Sequence, residues 1–191
     1  MLNHRHFIIH KPYGFLSQFI NNQTNRKKKL LGELNFNFPD KTMAIGRLDA
    51  KSEGLLLLTT DGKVSDFITT RGKVEKEYYV QVNGQITAKE IEKLKAGVEI
   101  GFDGKKYITK PCKVTLIETP NFSERSKKIR DDRHGPTSWI SVTLTEGKFR
   151  QVRKMTSAVG FATLRLVRVR VGNILLNNMQ SGEVIEVDQL M

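Results

Sequence analysis

The chain has 191 residues, with 32 Lys or Arg against 20 Asp or Glu, so its formal net charge is +12. Its 38% of hydrophobic residues exclude compositional disorder, and its single cysteine excludes both an internal disulfide and a zinc ribbon. No apolar run is long enough for a signal peptide or a membrane span, so we expect a cytoplasmic, basic protein whose partner is a polyanion rather than a membrane.

Two strands and two helices are predicted in the first third of the chain. Residues 6–10 favour a strand that ends at the turn residues 11–14, and residues 55–59 favour a second, buried strand. Between them, leucines at 30, 31 and 34 indicate a short helix. A second helix is predicted to begin at Asp61. Its apolar face would consist of Val64, Phe67 and Ile68.

The next segment predicts a strand followed by a capped helix. Residues 76–82 alternate in character, so every second side chain from Tyr78 onward would share one face of the strand. Thr87 and Glu90 have the spacing of a capping box at a helix N-terminus. Gly97 is typical of the residue that ends such a helix.

The remainder of the chain adds further strands and one helix. Residues 98–118 are typical of a hairpin with an Asp-Gly turn, residues 138–144 of a half-buried strand, and residues 149–159 of an amphipathic helix. In residues 167–171, three valines would lie on one face, with Arg168 and Arg170 on the other. Many strands with few helices predict an α+β fold with a mixed, mostly antiparallel sheet.

Positive charge is concentrated in one stretch without acidic residues, which spans residues 147–182. Its cations are Lys148, Arg150, Arg153, Lys154, Arg165, Arg168 and Arg170. Two further basic segments comprise residues 21–34 and 121–137. A field of this kind would neutralise several phosphates, so we predict a nucleic acid as the partner, with a solvated basic surface as the alternative.

Asp49 is the candidate for chemistry, because it lies in a predicted loop directly before an apolar strand. The neighbouring cation of Arg47 would keep its carboxylate ionised, as a nucleophile requires. A turn aspartate is one alternative, and a paired carboxylate with Glu53, of the kind that glycosidases use, is another. The four histidines are scattered without the spacing of metal ligands, so no metal site is predicted.

Three segments together resemble the signature motifs of the ribosomal small- and large-subunit pseudouridine synthase family. They are GRLDAKSEGLLLLTTDG (46–62), KEYYVQV (76–82) and EGKFRQVRKMTSAVGFATLRLVRVRVG (146–172). The resemblance implies isomerisation of one uridine in ribosomal RNA without a metal or any other cofactor. It also implies a pseudouridine synthase fold, in which residues 1–191 form one catalytic domain of two lobes around a central active-site cleft, without an N-terminal RNA-binding module.

The resemblance also implies roles for individual residues. Asp49 matches the catalytic aspartate, Tyr78 the tyrosine that packs on the flipped uracil, and Arg153 the cation that pairs with the aspartate. Arg47 matches the arginine that takes the space left by the flipped base, and Leu166 falls near an apolar residue of the pocket. The cations expected to contact RNA phosphates are Arg150, Lys154, Arg165 and Arg168.

The sequence thus predicts a monomeric enzyme of ribosome biogenesis that acts on large-subunit ribosomal RNA, free or in an assembling particle. The basic segments 21–34 and 121–137 are the candidates for choosing its target. Two alternatives are a non-catalytic, ribosome-associated RNA-binding protein and a hydrolase that uses Asp49 with Glu53 on an anionic substrate.

Overall fold

The computed structural model describes residues 4–20, 28–71, 74–130 and 132–190, and all structural statements below refer to these residues. The strands are β1 (His6–Lys11), β2 (Met43–Ile45), β3 (Glu53–Thr59), β4 (Lys76–Asn83), β5 (Glu99–Phe102), β6 (Lys105–Ile108), β7 (Lys113–Ile117), β8 (Thr137–Leu144), β9 (Thr163–Val171), β10 (Ile174–Leu175) and β11 (Val184–Val187). The helices are α1 (Gly62–Asp66), α2 (Ala88–Ala96) and α3 (Gln151–Ala158). Short 3-10 turns lie at Leu31–Glu33 and Asp132–His134, and a π turn at Phe67–Arg71. No helix among the described residues has the length and apolarity needed to cross a membrane.

The chain divides into two compact units. The first unit comprises Met1–Val74 and Arg168–Met191, and the second comprises Glu75–Val167. Strand β9 begins in the second unit and ends in the first. The pairings with a defined register are antiparallel, which confirms the predicted α+β class with a mostly antiparallel sheet.

The first unit is built on β1, which lies between β11 and β3. Strand β3 is buried along its whole length, and its leucines at positions 55–58 are at most 1% exposed. This explains why its sequence is a continuous apolar run rather than an alternating one. Phe7 of β1 adds edge-on contacts with the rings of Phe36 and Phe38.

In the second unit, β8 lies between β4 and β7. Val80 and Val82 of β4 are fully buried in a hydrophobic cluster that also contains Val152 and Met155 of α3. The β5–β6 hairpin turns at Asp103 and Gly104, which both have positive φ angles (52° and 71°), as the tight turn of such a hairpin requires.

Most of the predicted elements are confirmed, but several details differ. The hairpin predicted for residues 98–118 consists of β5 and β6 alone, because β7 pairs with β8 instead. Phe67 does not belong to a buried helical face: its side chain is 53% exposed, because α1 ends at Asp66 and the π turn that follows changes the helical phase. At the start of α2, the Thr87 hydroxyl donates to the Glu90 carboxylate instead of capping the backbone. Of the basic segment 21–34, residues 21–27 lie outside the described residues.

Candidate functional site

The loop between β2 and β3 carries Asp49 in the first unit, where the residue is half-buried. The hydroxyl of Ser17 donates to the carbonyl oxygen of Leu48 (2.8 Å) and accepts from the amide of Leu48 (2.9 Å). On the other side, the amide of Ser52 donates to the carbonyl oxygen of Asp49 (2.9 Å). The backbone is therefore fixed on both sides of the predicted catalytic carboxylate.

The turn after β1 packs onto the same loop. Its Gly14 has a φ angle of 89° and donates its amide to the carbonyl oxygen of Ala50 (2.7 Å). A φ angle in this range costs glycine little, whereas most side chains rarely adopt it. The Gly14 turn thus adds a further hydrogen bond to the backbone of the Asp49 loop.

Lys11, at the end of β1, is fully buried beside the Asp49 loop. Its ammonium donates to the carbonyl oxygens of Pro12 (2.9 Å) and Phe15 (2.8 Å). Burial lowers the pKa of Lys11 to about 7, and the charges of Glu53 and Asp49 oppose that decrease. A buried cation is therefore part of the electrostatic environment of Asp49.

Lys11 is not among the predicted site residues, because the sequence favours a turn at residues 11–14 after the first strand. The strand in fact includes Lys11, and its other side chains are mostly buried. A lysine directly after an apolar strand segment and before Pro12 was the available signal. It gave no indication that the ammonium would be desolvated, since that depends on residues distant in the sequence.

Arg168 lies in the interior of the first unit, and its position differs from that expected of a phosphate contact. It is 4% exposed, and its Nε donates to the carbonyl oxygen of Leu55 (2.7 Å). Its β9 neighbours Val167 and Val171 are buried as well, so this part of β9 is covered on both faces. Arg47, also in the first unit, is exposed.

Tyr78 lies on β4 in the second unit, opposite Val142 of β8. Its side chain is half-buried and packs against the hydrophobic cluster described above. The next residue, Tyr79, points to the other face of β4, as strand geometry requires, and its ring contacts that of Phe122. The two adjacent tyrosines therefore have different surroundings.

Arg153 lies on α3, and its position follows from the burial of two neighbours on the same helix. Val152 and Met155 are buried in the core, which leaves the Arg153 side chain half-buried. Leu166, on β9, is 5% exposed in the same cluster. Both predicted site residues thus belong to the second unit and are supported by its core.

The segment leading into α3 is held by Glu146. Its carboxylate accepts hydrogen bonds from the Tyr107 hydroxyl (2.5 Å), the Lys110 amide (2.9 Å) and the Gln151 side chain (2.6 Å). Gln151 in turn accepts from the amide of Lys148 (2.9 Å). Although burial alone would raise the pKa of Glu146, these hydrogen bonds outweigh it and lower that pKa below its ordinary value.

The remaining predicted phosphate contacts differ in exposure. Arg150 is exposed at the N-terminus of α3, with a left-handed φ of 54°. Lys154 is half-buried, and its ammonium donates to the carbonyl oxygen of Gly101 (2.6 Å). Arg165 is buried, at 7% exposure. Within the described part of the chain, no group of three or more His, Cys, Asp or Glu side chains could hold a metal ion.

Comparisons with known proteins agree with the motifs. The RNA pseudouridylate synthase family model matches residues 5–158. Ribosomal large subunit pseudouridine synthase E of Vibrio parahaemolyticus is 41% identical over 187 residues, which cover 97% of this chain and 74% of that protein. The enzyme of the same name from Xanthomonas campestris is 42% identical over 178 residues, which cover 92% of this chain and 91% of that protein. A crystal structure of a pseudouridylate synthase superposes with a TM-score of 0.73 at 27% identity, covering 96% of this chain and 70% of that one.

Proposed function

Because the chain belongs to the RNA pseudouridylate synthase family, we propose that it isomerises one uridine of large-subunit ribosomal RNA to pseudouridine. The observation that carries this proposal is the similarity to two large-subunit enzymes along more than nine-tenths of the chain. The net charge of +12 supports an RNA substrate, because binding would neutralise several phosphates.

In this proposal, Asp49 is the catalytic carboxylate. The reaction breaks the bond between the ribose and the uracil nitrogen N1, rotates the base and joins the ribose to the uracil carbon C5. The hydrogen at C5 leaves to solvent as a proton and N1 takes up a proton, so the composition of the nucleoside is unchanged. One carboxylate suffices whether it attacks the substrate or removes a ribose proton. The fixed backbone around Asp49 supports this role, because catalysis depends on a carboxylate held in one position.

Tyr78 and Arg153 complete the proposed chemistry. A base in an RNA stack must be extruded before its glycosidic bond can be reached, which costs roughly a few kcal/mol. The ring of Tyr78, supported by the core beneath it, would stack on the extruded uracil. The Arg153 guanidinium would keep the catalytic carboxylate ionised. Arg47 would occupy the space vacated by the base, and Leu166 would line the uracil pocket.

Phosphate binding is proposed for the cations of the acid-free stretch. Arg150 is the best suited among them, because it is exposed at the start of α3. Lys154 is half-buried, whereas Arg165 and Arg168 are buried, so these three side chains would contribute only after giving up contacts within the protein. For Lys154 and Arg168 these are the bonds to Gly101 and Leu55. We further propose that the protein acts as a monomer in the cytoplasm, without a metal or cofactor, and that residues 1–191 act together as its catalytic domain.

The substitution Asp49→Asn tests the mechanism. The release of tritium from a large-subunit ribosomal RNA transcript labelled at uracil C5 reports the reaction, and filter binding reports affinity. We expect Asp49→Asn to abolish tritium release and to leave RNA affinity within about twofold, because the shape of the side chain is kept. The matched control is Asp40→Asn, which changes an exposed loop aspartate of the same unit and should keep full activity.

Deletion of the gene tests the substrate. A map of pseudouridines across ribosomal RNA should lose one position in the large subunit, and expression of the wild-type protein, but not of Asp49→Asn, should restore it. If the map is unchanged and the purified protein binds RNA without releasing tritium, the protein is a non-catalytic RNA-binding protein. If Asp49→Asn retains turnover, the assignment of the carboxylate is wrong.

A further inference from the structure

A cavity of about 670 Å³ lies within the second unit, and its lining contains none of the residues given a role in catalysis. Its lining residues are Phe122, Glu124, Arg125, Ser126, Lys127, Lys128, Ile129 and Arg165. All but Arg165 belong to the loop between β7 and β8, in the portion that the basic segment 121–137 covers. A cavity of this size is within the range of about 300–1,000 Å³ found for small-molecule sites.

Two arginines tie the loop to β9, so the cavity has a defined wall. The Arg165 guanidinium donates to the carbonyl oxygen of Ser123 (3.0 Å), and that of Arg125 donates to the carbonyl oxygen of Leu164 (3.3 Å). The Nε of Arg125 also donates to the carbonyl oxygen of Lys127 (2.6 Å). The first two bonds thus join loop and strand in opposite directions, and the third lies within the loop.

Phe122 provides an aromatic surface in this wall. Its ring contacts the buried ring of Trp139 (centroids 6.0 Å apart) and the ring of Tyr79 (6.1 Å), and the Arg165 guanidinium lies 5.4 Å from its centroid. Tyr79 lies on the face of β4 opposite that of Tyr78. The cavity is therefore separate from the surface of Tyr78 that is proposed to receive the uracil.

The charge of the lining favours an anion, since it holds four cations against the single carboxylate of Glu124. Lys127 and Lys128 are exposed, so they are accessible to a phosphate backbone. Aromatic rings and guanidinium planes that stack on bases, together with cations that contact phosphates, are the features by which proteins hold single-stranded RNA. An acidic peptide would use the cations but would gain less from the ring of Phe122.

We propose that this cavity, the Phe122 pocket, binds one unpaired nucleotide of the substrate RNA other than the uridine that is isomerised. The base stacks on Phe122 and Arg165, and Lys127 and Lys128 contact the adjacent phosphates. The pocket thereby contributes to the choice of target. This inference rests on the proposed function only in that the bound RNA is the substrate.

Steady-state kinetics of tritium release from the large-subunit transcript test the role in substrate choice. Phe122→Leu keeps an apolar contact with Trp139 but removes the stacking ring, so we expect KM to rise about tenfold with kcat within twofold. The double variant Lys127→Ala, Lys128→Ala should raise KM and reduce the slope of log KM against log salt by about 1 to 2. The matched control is the double variant Lys105→Ala, Lys106→Ala. It removes two exposed lysines of the same unit that are also consecutive in the sequence, and it should change KM less than twofold.

Binding can be followed directly, because Trp139 is the only tryptophan in the chain and contacts Phe122. Pentauridylate should change the Trp139 fluorescence in a saturable manner, and the apparent Kd should rise at least fivefold in Phe122→Leu. Duplex RNA, and a polyglutamate peptide of the same charge as pentauridylate, should change the Trp139 fluorescence little. An equal response to polyglutamate would overturn the proposal in favour of a site for acidic peptides.

The two assays separate the failure of this inference from the failure of the proposed function. If wild-type protein releases tritium but Phe122→Leu and the 127/128 variant have unchanged KM, the Phe122 pocket does not contribute to target choice and the inference is wrong. If wild-type protein releases no tritium while pentauridylate still binds at Trp139, the pocket stands and the proposed function is wrong.

Discussion

The hydroxyl of Ser17 bonds to both backbone polar groups of Leu48, donating to its carbonyl oxygen at 2.8 Å and accepting from its amide at 2.9 Å. Both hydrogen bonds are buried and join residues 31 positions apart. Since Leu48 directly precedes Asp49, a single side chain fixes the chain on one side of the proposed catalytic carboxylate.

Ser17→Ala should therefore reduce turnover more than substrate binding. The substitution leaves a buried N–H and a buried C=O of Leu48 without this partner, at a cost of about 1–3 kcal/mol. We expect kcat for tritium release to fall about tenfold or more, with KM within twofold, because the position of Asp49 becomes less well defined.

A matched serine variant tests whether the effect is local. Ser181 is exposed in the same unit, so Ser181→Ala should leave both kcat and the free energy of unfolding unchanged. If Ser17→Ala lowers the free energy of unfolding but leaves kcat unchanged, the contact supports the fold without positioning Asp49.

Lys11 should make the stability of the protein depend on pH in the alkaline range. In the unfolded chain Lys11 has its ordinary pKa of 10.5, but in the folded chain burial lowers that pKa to about 7. The charges of Glu53 and Asp49 oppose this decrease, and the charge of Arg168 adds to it. Between these two values the unfolded chain binds the additional proton, so the free energy of unfolding rises with pH. Below about pH 7 the cost of the buried charge is present in full.

The variant Lys11→Met removes this contribution. Urea unfolding between pH 6 and pH 10 should show that wild-type stability, measured relative to Lys11→Met, increases with pH. Lys63→Met is the matched control, because Lys63 is exposed on α1. Its free energy of unfolding should differ from that of wild type by the same amount at every pH. A constant difference for Lys11→Met as well would mean that the ammonium keeps its ordinary pKa.

The elements that the sequence predicts correctly are those whose signal is local. The alternation around Tyr78 and Val80 reports a strand with different surroundings on its two faces, and the Asp103-Gly104 pair reports a turn with positive φ angles. Phe67 was assigned to the wrong environment, because a π turn after α1 depends on tertiary packing and has no clear periodic signal.

The candidate site was predictable only in part, for the same reason. Asp49, Tyr78 and Arg153 come from motifs that resemble a known family, and their roles stay predictions. The buried position of Lys11 and the bond between Arg168 and Leu55 each join residues brought together by the fold. No pattern of apolar and polar residues along the chain encodes which carbonyl oxygen a buried cation will meet.

Gly97 should be essential for the stability of the second unit. It ends α2 with a φ angle of 100°, and a Cβ at this position would overlap the carbonyl oxygen of Thr109. Gly97→Ala therefore combines an unfavourable backbone conformation with a steric clash, and we expect it to lower the free energy of unfolding by at least about 2 kcal/mol.

Gly101→Ala is the control for this substitution. Gly101 lies on β5 without a positive φ angle, and a Cβ there would meet nothing within 4 Å. Urea unfolding of the two variants should therefore give a large loss for Gly97→Ala and a change of less than about 0.5 kcal/mol for Gly101→Ala. Equal effects would show that the approach of Thr109 is not what requires glycine at position 97.

Glu146 should link acid stability to the start of α3, the helix that carries Arg153. Its pKa is lowered in the folded chain, so its stabilising contribution is present above the ordinary value of 4.5 and is lost as pH falls through the folded-state pKa. Glu146→Gln keeps the shape but loses the charged acceptor for Tyr107 and Gln151, so the variant should be less stable than wild type at pH 7 and more nearly equal to it at pH 3. The kcat of Glu146→Gln should also fall, because the segment leading to Arg153 is held less firmly.

Glu118→Gln is the control, because it changes an exposed glutamate of the same unit, and it should alter neither the free energy of unfolding nor kcat. If Glu146→Gln lowers the free energy of unfolding by the same amount at pH 3 and at pH 7, the charge of the carboxylate has no role in holding the start of α3.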